Sequence, residues 1–208
     1  MLDEKDHKTR LPYEHYQGLF KQADPVEMAD RTHIPYDEEK QQFTVRIMGR
    51  QIRINYPSLT AEDENGNEFE EYNAIMLVCR YLLEGKYVPD DGTMISYTDF
   101  PSGNLYFKAF KGRCLDRLAY SLGTKPDIFR KGMEAAGGVP VKSGDYGYRF
   151  EVFSGFYMTM AIWLPDEEFG PSSQITYSAN FLQTFSTEDA SVCGDIAIGT
   201  VKKLGSAY

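Results

Sequence analysis

Histidine is scarce in this chain. Its three copies, His7, His15 and His33, all fall within the first 33 of 208 residues, and none has a histidine partner at helical metal spacing. A histidine-based zinc site or a histidine-dependent triad is therefore not expected. Cysteine is equally sparse: Cys79, Cys114 and Cys193 lie far apart, with no Cys-x-x-Cys pair. Three distant thiols make neither a disulfide framework nor an iron–sulfur set, and free thiols fit a reducing cytoplasm. Glycine-rich phosphate loops are missing, since Gly123-Thr124-Lys125 lacks an upstream glycine and no G-x-G-x-x-G occurs. No G-x-S-x-G elbow surrounds Ser154 or any other serine. The longest apolar run, Ala74 to Cys79, is far too short for a membrane span. The N-terminus is charged from its third residue, so no secretory segment is expected.

What remains is ample material for a core. Apolar residues make up 42% and aromatic ones 14%, with 15 tyrosines and 13 phenylalanines against one tryptophan. Such a chain folds without disulfides or metals, and the rings suit a sheet packed on helices or an amphipathic groove. Net charge is −9, which repels phosphate backbones and argues against nucleic acid as partner. Residues 105–131 run against that total: seven cations and two acids give +5, leaving −14 elsewhere. A solvated helical face and a local anion site both fit that stretch.

Residues 1–11 are polar and expected to fray. Pro12 to Lys21 has helical spacing, and Asp24-Pro25 opens a second helix with Asp24 as cap and Glu27 placed to reach back. Gln42 to Met48 alternates through Phe43, Val45 and Ile47. After Gly49-Arg50, Ile52, Ile54 and Tyr56 alternate again, which predicts a β-hairpin. Ala61 to Glu71 carries six acids and the Asn65-Gly66 turn signal, and reads as an exposed loop. Asn73 to Glu84 is apolar nearly all round and predicts a covered central helix ended by Gly85. A short strand fits Met94–Tyr97.

Phe107, Phe110, Cys114, Leu118 and Leu122 predict an amphipathic helix over 104–122, closed by Gly123. Pro126 to Ala136 predicts another. Tyr146–Phe153 and Phe156–Leu164 alternate about Ser154-Gly155, and Gln174–Tyr177 adds a short strand. Ser186-Thr187-Glu188-Asp189 opens a terminal helix running to Leu204, with Lys202-Lys203 at its negative end. The pattern predicts one α+β domain over 1–208, residues 1–35 being a helical extension. Its antiparallel sheet would be built from the N-terminal hairpin and the C-terminal strands and covered by helices.

Two segments attract functional interest. Trp163 to Pro171 places Asp166, Glu167 and Glu168 directly after an apolar strand, between Pro165 and Pro171. Carboxylates so placed suit acid–base work if one is desolvated, or a hard cation; a hydrated loop explains them equally. Tyr97 to Asn104, leading into Tyr106, offers polar groups at a helix start, suited to an anion or to capping by Ser102 or Asn104. The candidate binding residues are Asp166, Glu168, Trp163, Tyr106, Asp99 and Tyr97. No catalytic residue, metal set or cofactor is assigned.

Tyr81-Leu82-Leu83 through Gly92, Ser96 to Pro101, Gly103, Tyr106 to Phe110, Asp166 to Phe169 and Glu188-Asp189, in that order, resemble the bacterial and archaeal domain-of-unknown-function family numbered 3786. The similarity spans about residues 70–204. It implies an occurrence alone or beside cysteine-rich iron–sulfur modules in anaerobes, and assigns no catalytic residue. Arg80 stands where that pattern commonly has histidine, and Ser178 where it often has aspartate.

Three functions are therefore in play. The first is a cytoplasmic accessory domain of anaerobic metabolism that binds a small molecule or a partner protein. The second is an acid/base or divalent-cation-dependent enzyme using residues 166–168, and the third a dimerising scaffold.

Overall fold

The computed structural model describes residues 7–207, with side chains from residue 12 onward. The chain divides into two units, residues 1–88 and 89–208, each taken in turn. Helix α1 (His7–Gln22) includes residues 7–11, which were expected to fray; residues 1–6 of that expectation lie outside the described range. In α2 (Pro25–Thr32) Asp24 caps as expected, accepting from the Val26 and Glu27 amides with Pro25 at the first turn.

Strands β1 (Tyr36–Asp37), β2 (Gln42–Ile47), β3 (Arg50–Asn55) and β4 (Ala61–Asp63) pair antiparallel in that order. The β2–β3 turn needs two positive φ angles, taken by Met48 (48°) and Gly49 (74°), which matches the right-handed twist of the hairpin. Phe43, Val45, Ile47, Ile52 and Ile54 are fully buried on its inner face. Each such side chain contributes about 1.5–3 kcal/mol by leaving water. Helix α3 (Tyr72–Glu84) is buried from Ala74 through Cys79 and packs on α1 and α2, as its all-round apolarity predicted. Arg31 of α2 donates to the Leu82, Leu83 and Gly85 carbonyls, supplying a cation to the negative end of α3. The acidic loop 61–71 is a partial correction. Ala61 is buried and pairs with Ile54, and Asp63 accepts from the Asn65 and Asn67 amides, so one acid is used in folding the turn.

In the second unit β5 (Met94–Ser96), β6 (Val139–Pro140), β7 (Tyr146–Phe153), β8 (Phe156–Trp163) and β9 (Ser172–Ser178) form an antiparallel sheet of order β5-β9-β8-β7-β6. Gly155 turns β7 into β8 at φ 78°. Tyr148, Phe150 and Val152 of β7 and Phe156, Met158, Met160 and Ile162 of β8 are buried, the latter being the even-numbered of the two sets open to that strand. Helix α4 (Gly103–Phe110) continues through two π-helical stretches, Lys111–Asp116 and Ala119–Gly123. Helices α5 (Pro126–Ala135) and α6 (Thr187–Ser206) pack on one another, while α5 and the π-helical stretches meet β7, β8 and β9. Ser186 and Asp189 form the reciprocal cap that starts α6.

The widened helix follows from its sequence. Phe110, Cys114, Leu118 and Leu122 recur at strict intervals of four and all are buried. At 3.6 residues per turn a four-residue repeat drifts by roughly 120° over twelve residues, carrying Leu122 off the buried face. Turns with i→i+5 bonding under-wind the helix and keep all four in line.

The α+β class and antiparallel pairing stand. The shared sheet does not: the 42–55 hairpin and the 146–178 strands belong to two separate sheets. Each hairpin completes its ladder with strands close in sequence, β1 and β4 in one case, β6 and β9 in the other. Local partners close shorter loops at less chain entropy, a modest preference, since β5 still pairs with β9 from the other end of the second unit.

Candidate functional site

Strand β8 ends where Pro165 removes a backbone donor, and its last ladder pair is Trp163 with Ser172 of β9. Residues 164–171 loop out between them. The Asp166 carboxylate accepts from the amides of Glu168 (2.8 Å) and Phe169 (2.7 Å), and the Asp166 amide donates to the Phe169 carbonyl at 2.9 Å. This closed turn throws the Phe169 ring outward, 70% exposed. The same two amides, Phe169 first, hold the Asp166 carboxyl below its ordinary value of 3.8.

A second carboxylate comes from the approach to β7. Gly144, at φ +65°, runs so close to the Ile162 carbonyl that a side chain there would collide with it. The following Asp145 donates its amide to that carbonyl at 2.9 Å and accepts from the Leu164 amide at 2.7 Å, finishing the end of β8 with a side chain. Asp145, Trp163, Leu164, Asp166, Phe169, Gly170 and Ser172 together line an open cleft of about 440 Å³. Trp163 and Leu164 are 38% and 36% exposed at its wall. Tyr120, 65% exposed, brings its hydroxyl toward Gly170, and Pro171 packs at Gly123. The Ser173 hydroxyl donates to the Leu115 carbonyl at 2.7 Å, tying the first residues of β9 to the widened helix. The cleft is thus held by two prolines, two side-chain-to-backbone turns and the adjoining helix.

Of the expected residues, Trp163 and Asp166 meet in this cleft. Glu167 and Glu168 are exposed, and neither lines it. Tyr106 sits on α4 beside Leu105, 54% and 76% exposed, and is not part of the cleft. Tyr97 and Asp99 are elsewhere. Ser96 pairs with Thr176, four residues along β9 from the Ser172 partner of Trp163, a distance of roughly 13 Å at strand rise. Tyr97 is buried, stacked on Phe110 at 3.9 Å, and its hydroxyl accepts from Ser191 at 3.1 Å. Asp99 accepts from the Ser96 amide and hydroxyl at 2.7 and 2.9 Å. Ser96 and Asp99 thus cap the short 3-10 turn Tyr97–Asp99 that precedes α4, not α4 itself. Ser102, in the left-handed region, makes no side-chain cap bond.

The basic stretch is largely paired: Lys111 with Asp116, Arg113 with Glu188 and Asp195, Arg117 with Asp195, and Arg130 with Asp127. That is a solvated face of ion pairs. Ser178, one of the two departures from the family pattern, is buried. It donates to Asn180 at 2.6 Å and accepts from the Tyr157 amide at 2.9 Å, fixing the end of β9. Arg80, the other, lies over the Tyr16 ring at 5.8 Å. Among the described residues no three His, Cys, Asp or Glu side chains gather in a metal-binding arrangement, and no helix is long and apolar enough to cross a membrane.

Sequence reasoning did not single out Asp145 or Ser172. Asp145 joins the cleft only through the register that sets Tyr146 against Ile162, which no local pattern discloses. Phe169 did carry a signal, as a large ring inside an acidic, proline-bounded loop.

The model of a family described as a domain of unknown function (DUF3786) matches residues 24–200. Neither the curated proteins nor the solved structures contain a match.

Proposed function

We propose that this chain, which belongs to the DUF3786 family, is a non-catalytic binding domain that receives a ligand or a partner protein at the Trp163–Phe169 cleft. The observation that carries this reading is a group of exposed rings at the cleft, with Phe169 held outward by a turn that one oxygen of Asp166 closes. Phe169, 70% exposed, lines the cleft with Trp163, while Tyr120, 65% exposed, brings its hydroxyl toward Gly170; large exposed rings at a concave site are what recognition surfaces use. Acid–base chemistry needs a desolvated carboxyl with a raised pKa. Asp166, Glu167 and Glu168 are all exposed, and Asp166 is shifted the other way. A reducing, cytoplasmic setting is favoured by three buried cysteines, all in the free form. An accessory role in bacterial anaerobic metabolism rests on the company that family members keep.

A thermal-shift screen with metals, nucleotides, corrinoids, flavins and short peptides tests this. A compound that binds only the native form raises the midpoint, by about 2.7 kcal/mol of added stability at one hundred times its Kd. The shift should survive Asp166→Asn and vanish in Trp163→Ala and Phe169→Ala proteins that retain wild-type circular dichroism. A shift that persists in both ring variants refutes the cleft as the binding site.

A further inference from the structure

We infer that the cleft receives an arginine side chain presented by a partner protein. This rests on the binding reading above and adds to it the charge, shape and source of what is bound. Each cleft carboxylate uses one oxygen on the backbone: Oδ2 of Asp145 on the Leu164 amide, and Oδ1 of Asp166 on those of Glu168 and Phe169. Their second oxygens, Oδ1 of Asp145 and Oδ2 of Asp166, have no hydrogen-bond partner among the described residues. Among the described residues no lysine, arginine or histidine lines the cleft, and Glu167 and Glu168 add negative charge to the same loop.

The occupant is therefore a cation. Trp163 and Phe169 line the same cleft as the two carboxylates, and a planar guanidinium both stacks on an indole and forks onto carboxylate oxygens, which a compact ammonium does less well. The source follows from openness. Pockets for small molecules enclose about 70–90% of the ligand surface. Here the walls themselves are exposed, so a free cation would stay largely hydrated. A polypeptide also covers the exposed Leu164 and Phe169 of the cleft and the Tyr120 ring near Gly170, where flanking apolar residues gain contact.

Trp163 is the only tryptophan, so its fluorescence reports on this cleft alone. Two measurements on the whole protein decide the matter. In the first, caesium, iodide and acrylamide quench Trp163. With each quencher normalised to its effect on free N-acetyltryptophanamide, and neutral acrylamide as the accessibility reference, caesium should be enhanced and iodide suppressed. Equal or iodide-favoured quenching overturns the cationic assignment while leaving the binding site in place.

In the second, a short acetylated peptide with one central arginine between apolar residues is titrated, alongside its citrulline counterpart and agmatine. The arginine peptide should change Trp163 emission, agmatine should do so more weakly, and citrulline should fail. Asp145→Asn and Asp166→Asn keep an oxygen for the backbone bonds and remove charge. Each should weaken the arginine peptide by about two- to fivefold, the range of a solvent-exposed ion pair, and both together more. Equal binding of the citrulline peptide sinks the cation but not the cleft. Agmatine binding as tightly as the peptide sinks the protein source. A bound peptide that leaves Trp163 emission untouched, or no response to any of the three at millimolar concentration, overturns the inference entirely.

Discussion

Replacing Gly132 or Gly205 by alanine should destabilise the second unit, although alanine is the better helix former. The two glycines mark the crossing of α5 and α6. A Cβ at Gly132 would fall on the Val201 carbonyl oxygen and one at Gly205 on that of Ile128, both well inside the 3.0 Å that real Cβ atoms keep. The obstacle in each case is backbone, which cannot rotate away. Relief requires the helices to part by about 1 Å, a gap that forfeits roughly a quarter to a half of each dispersion contact across it. Overpacking of this kind costs about 1–3 kcal/mol and more where nothing flexible yields, while alanine returns about 1 kcal/mol of helix propensity. The expected net loss is about 2 kcal/mol for either variant.

Gly199, in the same α6, is the internal control. A Cβ there meets only the end of the Arg117 side chain at 3.7 Å, an ordinary contact. Gly199→Ala should therefore gain about 0.5–1 kcal/mol. Urea unfolding followed by far-UV circular dichroism, with midpoints compared at constant m-value, separates the three. Neutral or stabilised Gly132→Ala and Gly205→Ala proteins would refute the close helix crossing and the tight α5–α6 core with it.

Two further outcomes follow from the same structure. Burial pushes the Cys79 and Cys114 thiols up to about 12, with Asp195 adding to the effect at Cys114. At pH 8 about one in ten thousand of either is thiolate. Ellman's reagent should thus count no cysteine in the native protein and all three in guanidinium; prompt native reaction would contradict the packing around them. Because the Asp166 carboxyl is depressed in the folded chain, its hold on the Phe169 turn is complete above the unfolded carboxylate value and fades only as pH falls through the lower folded one. Trp163 emission should stay level from neutral pH down to about pH 4 and change below it, with Asp166→Asn removing that change. A transition near neutral pH in the wild type would place a different group in control.

Much of this architecture is written in short-range pattern. The hairpins at 42–55 and 146–163 are legible because period-two alternation is interrupted by Gly49 and Gly155, whose positive φ angles the turns require. Helices α2 and α6 are legible through Asp24 and Ser186, which cap as their chemistry suggests. The division into two sheets is not, since β1, β4 and β6 are two or three residues long and owe their pairing to the neighbour rather than to their own pattern. The under-winding of 111–123 was in principle visible, because four buried residues at intervals of four do not suit an α-helix. The cleft was half visible. Trp163 and Asp166 stand out along the chain, whereas Asp145 arrives through strand register. Tyr97 misled because an aromatic ring near polar residues looks the same in sequence whether it faces solvent or, as here, stacks in the core.

Both sheets stop in stubs. The four-stranded one is bounded by β1 and β4, the five-stranded one by β5 and β6, and Pro140 in β6 has no amide hydrogen to offer. Such rims give an extended segment too few consecutive backbone groups to zip onto, from another protein or from a second copy of this one. A crowded population of these molecules should then resist templated strand exchange and fibre growth. Whatever approaches the chain has to be read by side chains, one contact at a time.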